Sequence, residues 1–245
     1  MNKIEVCFSP ALFHLIAITE PTVIVVIDVL RATTSFCTAF DTGVEAIVPL
    51  DSLDEAIEYK NKGYRVAAER DGLKPEFADY SNSAFDFMDN SIKGETIYYT
   101  TTNGTKAIKL GESKGDVVIG SFLNLYSLNK WLSDQHKNVI ILCSGWKDSF
   151  CIEDTLCAGA LLDLLIRNEN FVCDGDSALL SLLLWKSNSD NPGELITKSA
   201  HYLRLVKLGL DNILSYSLQI GKSNSIPVLI DGKLIDINKT RNNKI

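Results

Sequence analysis

The run Val23–Ile27 is the feature that most limits how this chain can fold. All five residues are valine or isoleucine, which is typical of a strand buried on both faces of a parallel sheet. Asp28 ends the run, and an amphipathic segment from Ala32 to Thr42 follows, closed by Gly43. A buried strand that leads directly into a helix predicts an α/β fold, in which ligands bind beyond the carboxyl ends of the strands.

The same alternation of strand and helix continues along most of the chain. Strands are predicted at 4–8, 22–28, 46–50, 64–68, 96–100, 116–119 and 138–143, and helices at 31–42, 52–61, 106–110, 121–135 and 153–166. This order predicts a largely parallel sheet with right-handed crossovers and helices on both faces. We expect one domain over residues 1–245, although the pattern also allows two similar α/β lobes with a boundary near residues 110–125.

Two regions depart from this rhythm. Residues 71–95 mix glycine, proline, polar and aromatic residues, and loops of this length are often functional. In the last third, helices are predicted at 176–186 and 194–208, followed by a hairpin that turns at Asp231-Gly232, a type I′ signal. The polar residues 238–245 are expected to fray.

Composition excludes several classes of function. The formal net charge of −7 argues against a nucleic-acid binder, which normally shows a basic footprint. No apolar run reaches the roughly 18 residues that a membrane span needs, and the first residues lack the pattern of a signal peptide. We therefore expect a cytoplasmic protein that binds neither nucleic acid nor membrane.

The cysteines and histidines give little sign of a site. The six cysteines form no C-x-x-C pair, and most lie in apolar stretches, which favours buried free thiols. Only Cys143 and Cys151 lie near other candidate residues. The three histidines are scattered along the chain, and we interpret them as ordinary surface or core residues.

Three strand-to-helix junctions carry residues suited to an anionic ligand. They comprise Asp28, Arg31, Thr33 and Thr34; then Thr101, Thr102, Asn103, Gly104 and Thr105; and finally Ser144, Gly145, Glu153 and Asp154. A guanidinium, hydroxyls and free backbone N–H groups at a helix start bind phosphate oxygens. Because parallel strands place their carboxyl ends on one edge, we expect the three junctions to meet there. Each junction alone is also explained by helix capping, with Arg31 as a surface charge.

The carboxylates at these positions suggest a magnesium site. Asp28 and Glu69 follow strands, and Glu153-Asp154 begins a helix, while Mg²⁺ prefers a few carboxylates together with water and a substrate phosphate. Adjacent Glu153 and Asp154 point in different directions on a helix, so one can bind metal while the other caps the helix or accepts a backbone hydrogen bond. For this pair, a favourable interaction with the helix dipole is the alternative.

Taken together, these blocks resemble the Mg²⁺-dependent 2-phosphosulfolactate phosphatases (ComB type), over nearly the whole chain. The motifs that carry the resemblance are D-V-L-R-A-T-T at 28–34, E-R at 69–70, N-S at 82–83, T-T-N-G-T at 101–105, G-S-F-L-N at 120–124 and E-D-T-L-C-A-G at 153–159. The resemblance implies hydrolysis of 2-phospho-3-sulfolactate to sulfolactate and phosphate on a route toward coenzyme M, an α/β fold and a homodimer. The chain departs from the family pattern at Ala84, where we expect proline, and at Asp71, where we expect glycine, so the identity of the substrate is less certain than the reaction.

We expect the following roles at the site. Asp28 and Glu69, with Glu153 or Asp154, surround Mg²⁺, and Arg31 clamps the phosphate. Asp28 as a covalent nucleophile is an alternative. Arg70 faces the sulfonate or carboxylate of the substrate, and further contacts come from Thr33, Thr34, Asn82, Ser83, Thr102, Asn103, Gly104 and Thr105. The competing functions are a phosphatase for another small phosphorylated acid and a non-catalytic anion-binding protein of the same fold.

Overall fold

A computed structural model describes residues 1–167 and 169–242 of the protein. The first half of the chain forms β1 (Asn2–Cys7), β2 (Thr22–Ile27), α1 (Ala32–Thr42), β3 (Ala46–Pro49), α2 (Leu53–Asn61), β4 (Arg65–Ala68), β5 (Thr96–Thr100), α3 (Gly104–Glu112) and β6 (Asp116–Gly120). The second half forms α4 (Leu125–Gln135), β7 (Asn138–Cys143), α5 (Ile152–Ile166), β8 (Phe171–Cys173), α6 (Asp176–Asn188), α7 (Pro192–Ile196), α8 (Ala200–Lys207), α9 (Leu214–Ser217), β9 (Pro227–Ile230), β10 (Lys233–Asp236) and α10 (Ile237–Asn242).

Local sequence signals set several of these boundaries. All six residues of β2 are buried, as the β-branched run predicts. Ser52 caps α2 by accepting the N–H of Glu55 at 3.0 Å. The turn of the β9–β10 hairpin has positive φ at Asp231 and Gly232, as a type I′ turn requires.

One sheet of ten strands contains all of the described strands, in the order β4-β5-β3-β10-β9-β6-β2-β7-β1-β8. The strands β4, β5 and β3 are parallel to one another, as are β6, β2, β7, β1 and β8. The β9–β10 hairpin lies between these two groups and pairs antiparallel with both. The predicted α/β fold with a largely parallel sheet is therefore confirmed.

The three antiparallel pairings around the hairpin reverse the direction of one parallel group relative to the other. The expectation that the three junctions share one edge of a single parallel sheet is therefore wrong. The junctions nevertheless meet, because a right-handed twist of about 20–25° per strand accumulates to roughly 100–125° over the five steps from β5 to β2. The carboxyl ends of the two groups consequently converge on one pocket from different directions.

Several predicted elements differ from the structure. The helix predicted at 194–208 is divided into α7 and α8, because Ser199 caps the second helix by accepting the N–H of Tyr202 at 3.1 Å. The short edge strand β8 is missing from the prediction. Residues 238–242, expected to fray, belong to α10, and residues 243–245 lie outside the described part of the chain.

The long loop at 71–95 is partly ordered by short elements of its own. It contains 3₁₀ turns at Ala84–Phe87 and Asn90–Ile92, and it buries Phe87 and Ile92 in the core. Tyr80 in this loop bridges to Ala67 of β4.

None of the described helices is long and apolar enough to cross a lipid bilayer. The division into two lobes near residues 110–125 stays a prediction.

Candidate active site

A narrow pocket lies where the carboxyl ends of the two parallel groups converge. It is lined by Asp28, Leu30, Arg31, Glu69, Gly72, Asn82, Thr102, Asn103, Trp146, His201, Arg204 and Leu205. Six of these residues were predicted as site residues from the sequence: Asp28, Arg31, Glu69, Asn82, Thr102 and Asn103. The structure therefore brings together residues from four separate parts of the chain.

The turn after β2 fixes Asp28 through short-range hydrogen bonds. The hydroxyl of Thr33 donates to the Asp28 carbonyl oxygen at 2.9 Å and accepts the Asp28 N–H at 3.1 Å. The Ala32 N–H donates to Oδ1 of Asp28 at 3.2 Å. Thr34 is directed inward, where its hydroxyl donates to the Val29 carbonyl oxygen at 2.8 Å. The hydroxyls of Thr33 and Thr34 thus stabilise the turn and do not line the pocket.

Gly104 allows the start of α3 to approach Asp28 closely. A Cβ atom at this position would lie 2.7 Å from Cβ of Ala32 and 2.9 Å from Oδ2 of Asp28, both too short for ordinary contact. The hydroxyl of Thr105 donates to the Thr101 carbonyl oxygen at 3.1 Å within the same turn. The absence of a side chain at position 104 is therefore what permits α1 and α3 to begin side by side.

Arg31 places a guanidinium group inside the pocket. The residue is only 4% exposed, and Nη2 donates to the Gly72 carbonyl oxygen at 2.9 Å. Among the described residues, no carboxylate lies within the 4.0 Å of Arg31 that would define an ion pair. Because a buried charge is costly unless it is paired, this guanidinium is suited to an anionic ligand.

Glu69 anchors the loop that carries Gly72. Its Oε1 accepts the Gly72 N–H at 2.5 Å and the Thr102 hydroxyl at 3.2 Å, and Oε2 accepts the Thr102 N–H at 3.2 Å. Both carboxylate oxygens are therefore engaged by protein donors. Glu69 ties the β4 end of the pocket to the turn after β5.

Glu153 and His201 form a close pair, of which His201 lines the pocket and the buried Glu153 does not. Oε1 of Glu153 lies 2.5 Å from Nδ1 of His201, and Sγ of Cys151 lies 3.8 Å from the same nitrogen. Within the described part of the chain, Oε2 of Glu153 is buried without a hydrogen-bond partner. Ligand atoms of Cys151, Glu153 and His201 all lie within 4.8 Å of one another, a group that could hold a metal ion.

Asp154 has a different environment from its neighbour Glu153. Its Oδ1 accepts the Val29 N–H at 2.9 Å, and Oδ2 accepts the Gly145 N–H at 3.0 Å. The side chain therefore joins the turn after β2 to the turn after β7. The sequence left open which of the two carboxylates faces a ligand, and Glu153 is the one with an unpartnered oxygen.

The buried carboxylates in and beside the pocket are close enough to perturb one another. Burial raises the pKa of Asp28 to about 6, and the carboxylate of Glu69 adds to that rise, while His201 opposes it. Burial, followed by the charges of Glu153 and Asp28, raises the pKa of Asp154 well above its usual range. A cation bound among them would relieve this repulsion.

The donor set fits Mg²⁺ at the carboxylates better than at the thiol. Carboxylate oxygens are hard ligands of the kind that Mg²⁺ prefers, whereas Cys and His favour softer metals such as Zn²⁺. Burial, and next the charge of Glu153, strongly raises the pKa of the Cys151 thiol, which keeps it protonated.

The six cysteines are all free thiols, as the sequence predicts.

The remaining predicted residues lie beside the pocket. Arg70 and Thr105 line a neighbouring groove with Lys106 and Lys109. Two nitrogens of Arg70 donate to the Glu69 carbonyl oxygen and to the Thr100 hydroxyl, at 2.6 and 2.8 Å. Ser83 precedes the turn at Ala84–Phe87 and donates its N–H to the Ser81 hydroxyl at 3.1 Å. A role for these residues in substrate binding stays a prediction.

Two predicted amide side chains do face the pocket, each oriented by a hydrogen bond. The Tyr99 hydroxyl donates to Oδ1 of Asn82 at 2.9 Å. The Lys147 N–H donates to Oδ1 of Asn103 at 3.1 Å. In each case the carbonyl oxygen is already engaged, so the amide is held with its NH₂ group as the remaining donor.

Sequence reasoning missed His201, Arg204 and Trp146. The sequence interpreted His201 as an ordinary surface or core residue, whereas α8 places it in the pocket against Glu153. No local motif distinguishes these residues, since α8 reaches the pocket only through tertiary packing. The nearest sequence signal is Cys151, which precedes Glu153 and Asp154 in the chain and contacts His201 in the structure.

Comparisons with known proteins identify a family for this sequence. Residues 7–232 match the family model of 2-phosphosulpholactate phosphatase. A protein of Caldanaerobacter subterraneus subsp. tengcongensis, named probable 2-phosphosulfolactate phosphatase, is 33% identical over 85% of this chain and 88% of its own length. Proteins of the same name from Thermotoga maritima and Carboxydothermus hydrogenoformans are each 33% identical, over 86% and 95% of this chain and over 90% and 96% of their own lengths.

The match therefore runs from β2 through β9 and includes every residue that lines the pocket. The chain belongs to the 2-phosphosulfolactate phosphatase family and is a phosphoric monoester hydrolase.

Proposed function

We propose that this protein hydrolyses 2-phospho-3-sulfolactate to 3-sulfolactate and phosphate and depends on Mg²⁺. The observation that carries the proposal is the buried guanidinium of Arg31, which lacks a carboxylate partner among the described residues and shares its pocket with Asp28. In this arrangement the guanidinium of Arg31 would pair with the phosphate of the ester, and a divalent metal would pair with the neighbouring carboxylates.

Asp28 and Glu153 are the residues that we assign to Mg²⁺. Glu153 supports this assignment through its unpartnered Oε2, and Asp28 through its place in the pocket and its raised pKa. Bound there, Mg²⁺ would supply Lewis-acid polarisation of a phosphate oxygen. Glu69 and Asp154, whose four oxygens all accept protein hydrogen bonds, are assigned to holding the pocket together.

Arg31 is assigned to the phosphate. A guanidinium binds two phosphate oxygens at once and stabilises the charge that develops on the transferred phosphoryl group. The NH₂ groups of Asn82 and Asn103 provide further donors at the same pocket. These three side chains would orient the ester for attack by water.

His201 is assigned to proton transfer. A carboxylate at Nδ1 favours the tautomer that keeps a proton on that nitrogen and frees Nε2 for exchange. With a second proton on Nε2, the imidazolium would donate that proton to the ester oxygen as the bond from phosphorus to that oxygen breaks, and the attacking water would return a proton to Nε2 as its oxygen bonds to phosphorus. The leaving sulfolactate then departs as an alcohol, and the proton of the attacking water restores the balance.

The test is phosphate release by the purified protein from 2-phosphosulfolactate, 2-phospholactate, 3-phosphoglycerate and p-nitrophenyl phosphate, with Mg²⁺ and with EDTA. We expect release selective for 2-phosphosulfolactate that EDTA abolishes. Arg31→Met should lose most of this activity, whereas Arg167→Met, at an exposed arginine paired with Asp163 outside the pocket, should keep it. Equal activity of the two variants would overturn the assignment of Arg31.

The competing functions correspond to other outcomes. Metal-dependent release from a different ester would keep the chemistry and change the substrate. Binding of Mg²⁺ without release from any of the four esters would favour a non-catalytic anion-binding protein. The coenzyme M pathway and the homodimer stay predictions from the resemblance, and the cytoplasmic location stays a prediction from the sequence pattern.

A further inference from the structure

Arg204 is a second guanidinium at the pocket that the assignments above do not use. It lies on α8, one turn after His201, and lines the same pocket as Arg31 and Asp28. Its Nη2 donates to the Asp71 carbonyl oxygen at 2.5 Å. Among the described residues, Arg204 forms no ion pair within 4.0 Å, and the carboxylate of Asp71 is paired instead with Lys147 at 2.9 Å.

Neighbouring carbonyl groups of one loop orient the two guanidinium groups. Arg204 contacts the carbonyl oxygen of Asp71, and Arg31 contacts that of Gly72. The lack of a side chain at Gly72 leaves room for this arrangement, since a Cβ there would lie 2.7 Å from Cδ1 of Leu208 and 3.4 Å from Nη1 of Arg204. The two cations are therefore held at separate places in one pocket, as a ligand with two anionic groups would require.

The indole ring of Trp146 contacts the guanidinium of Arg204 and influences which anions it would bind. Cζ of Arg204 lies 5.0 Å from the centre of the indole ring, in the geometry of a cation–π contact. A guanidinium on an aromatic face is weakly hydrated, and it matches a large, weakly hydrated anion better than a small one. A sulfonate is such an anion, and its three oxygens can accept from several N–H groups at once.

We infer that Arg204, placed against Trp146, binds the sulfonate of the substrate, apart from the phosphate clamp at Arg31. This inference rests on the proposed function, because it names the residue that binds the sulfonate of the same substrate. Arg204 then determines specificity: it distinguishes 2-phosphosulfolactate from 2-phospholactate, which has a methyl group in place of the sulfonated carbon.

The experiment compares kcat and KM of Arg204→Met for these two esters. Methionine keeps much of the apolar stem and removes the charge. We expect kcat/KM for 2-phosphosulfolactate to fall about 10- to 100-fold, mainly through KM, because one charged hydrogen-bonding group is lost. For 2-phospholactate, kcat/KM should change less than about threefold, which is clearly smaller than the loss expected for 2-phosphosulfolactate. Lys207→Met, an equal loss of charge at an exposed position of the same helix, should alter neither.

Trp146→Leu provides a second variant that keeps all charges. It should reduce the preference for 2-phosphosulfolactate without abolishing turnover of 2-phospholactate. An equal loss for both esters in Arg204→Met, or no loss for either, would overturn the inference, since the carboxylate and phosphate are common to both. Thermal unfolding of each variant checks that the fold is retained.

A binding measurement separates failure of this inference from failure of the proposed function. Calorimetric titration with 3-sulfolactate and with lactate, in the presence of Mg²⁺ and inorganic phosphate, needs no turnover. Tighter binding of sulfolactate by the wild type, lost in Arg204→Met, would support the subsite even if no ester is hydrolysed. Equal binding of sulfolactate and lactate by the wild type would refute it even if the phosphatase activity is present.

Discussion

Oε1 of Glu153 lies 2.5 Å from Nδ1 of His201, although the two residues are 48 positions apart. The contact connects the first turn of α5 with the first turn of α8, and it leaves Oε2 of Glu153 buried without a partner among the described residues. One carboxylate can thus orient a histidine with one oxygen and bind a cation with the other. The two neighbouring carboxylates at 153 and 154 therefore differ in ways that substitution can measure.

Glu153→Gln should remove activity without destabilising the protein. Glutamine has the shape of glutamate but lacks the negative charge that raises the pKa of Asp154, so the repulsion among the buried carboxylates falls. We expect kcat to fall about 100-fold or more, and the free energy of unfolding to stay constant or rise by about 1 kcal/mol. Glu194→Gln, at an exposed carboxylate paired with Lys198, is the control and should leave both unchanged. A marked loss of stability in Glu153→Gln would contradict this account.

Asp154→Asn should have the opposite effect on stability. Each oxygen of Asp154 accepts a backbone N–H, from Val29 and from Gly145, and an amide NH₂ group cannot accept the second of these. We expect denaturant unfolding to show a loss of about 2–4 kcal/mol. The control is Asp190→Asn, at an exposed position. A stable but inactive Asp154→Asn variant would instead assign Asp154 to the ligand.

Gly104→Ala should disturb the pocket through a single methyl group. The added carbon would lie 2.7 Å from Cβ of Ala32 and 2.9 Å from Oδ2 of Asp28, so α1 and α3 must separate. We expect a loss of about 1–3 kcal/mol in the free energy of unfolding, with reduced kcat because Asp28 moves. Gly193→Ala, where the nearest atom is a flexible leucine methyl at 3.3 Å, should be neutral or slightly stabilising by comparison. Similar unfolding midpoints for the two variants would show that the close approach at position 104 carries no cost.

The raised pKa of Asp28 predicts how stability depends on pH in the absence of metal. Because the folded-state pKa of about 6 exceeds the unfolded value, the folded state binds more protons between about pH 4 and 6. Stability should therefore fall as pH rises through this window, by about 2–3 kcal/mol from this residue. The difference between wild type and Asp28→Asn in chemical denaturation from pH 4 to 7, in EDTA, isolates the effect. A difference that does not vary with pH would be inconsistent with it.

With Asp28 as the proposed ligand, Mg²⁺ binding should be coupled to proton release from the same residue. A metal ion binds the ionised carboxylate, so binding near pH 6 should displace part of a proton from Asp28, and affinity should rise toward pH 7. Calorimetric titrations in two buffers of different ionisation enthalpy measure the protons released. No difference between the buffers would argue against Asp28 as a ligand.

The sequence by itself determined most of the strands and helices and six of the residues that line the pocket. The β-branched run at 23–27 predicted a buried strand, and Asp28, Arg31, Glu69, Thr102 and Asn103 followed from motifs at the ends of strands. Asn82 followed from the long loop and from the family resemblance. These features depend on local periodicity and on residues close together in the chain. These features can therefore be predicted without knowledge of the tertiary structure.

Only the tertiary structure decided which side chains face the pocket. The antiparallel hairpin and the accumulated twist of the sheet determine how the two parallel groups converge, and no local pattern encodes that angle. Thr33 looks like a phosphate ligand in the sequence, but its hydroxyl is used by the backbone of Asp28. His201 and Arg204 enter the pocket because α8 packs there, a long-range contact whose partners are far apart in the sequence.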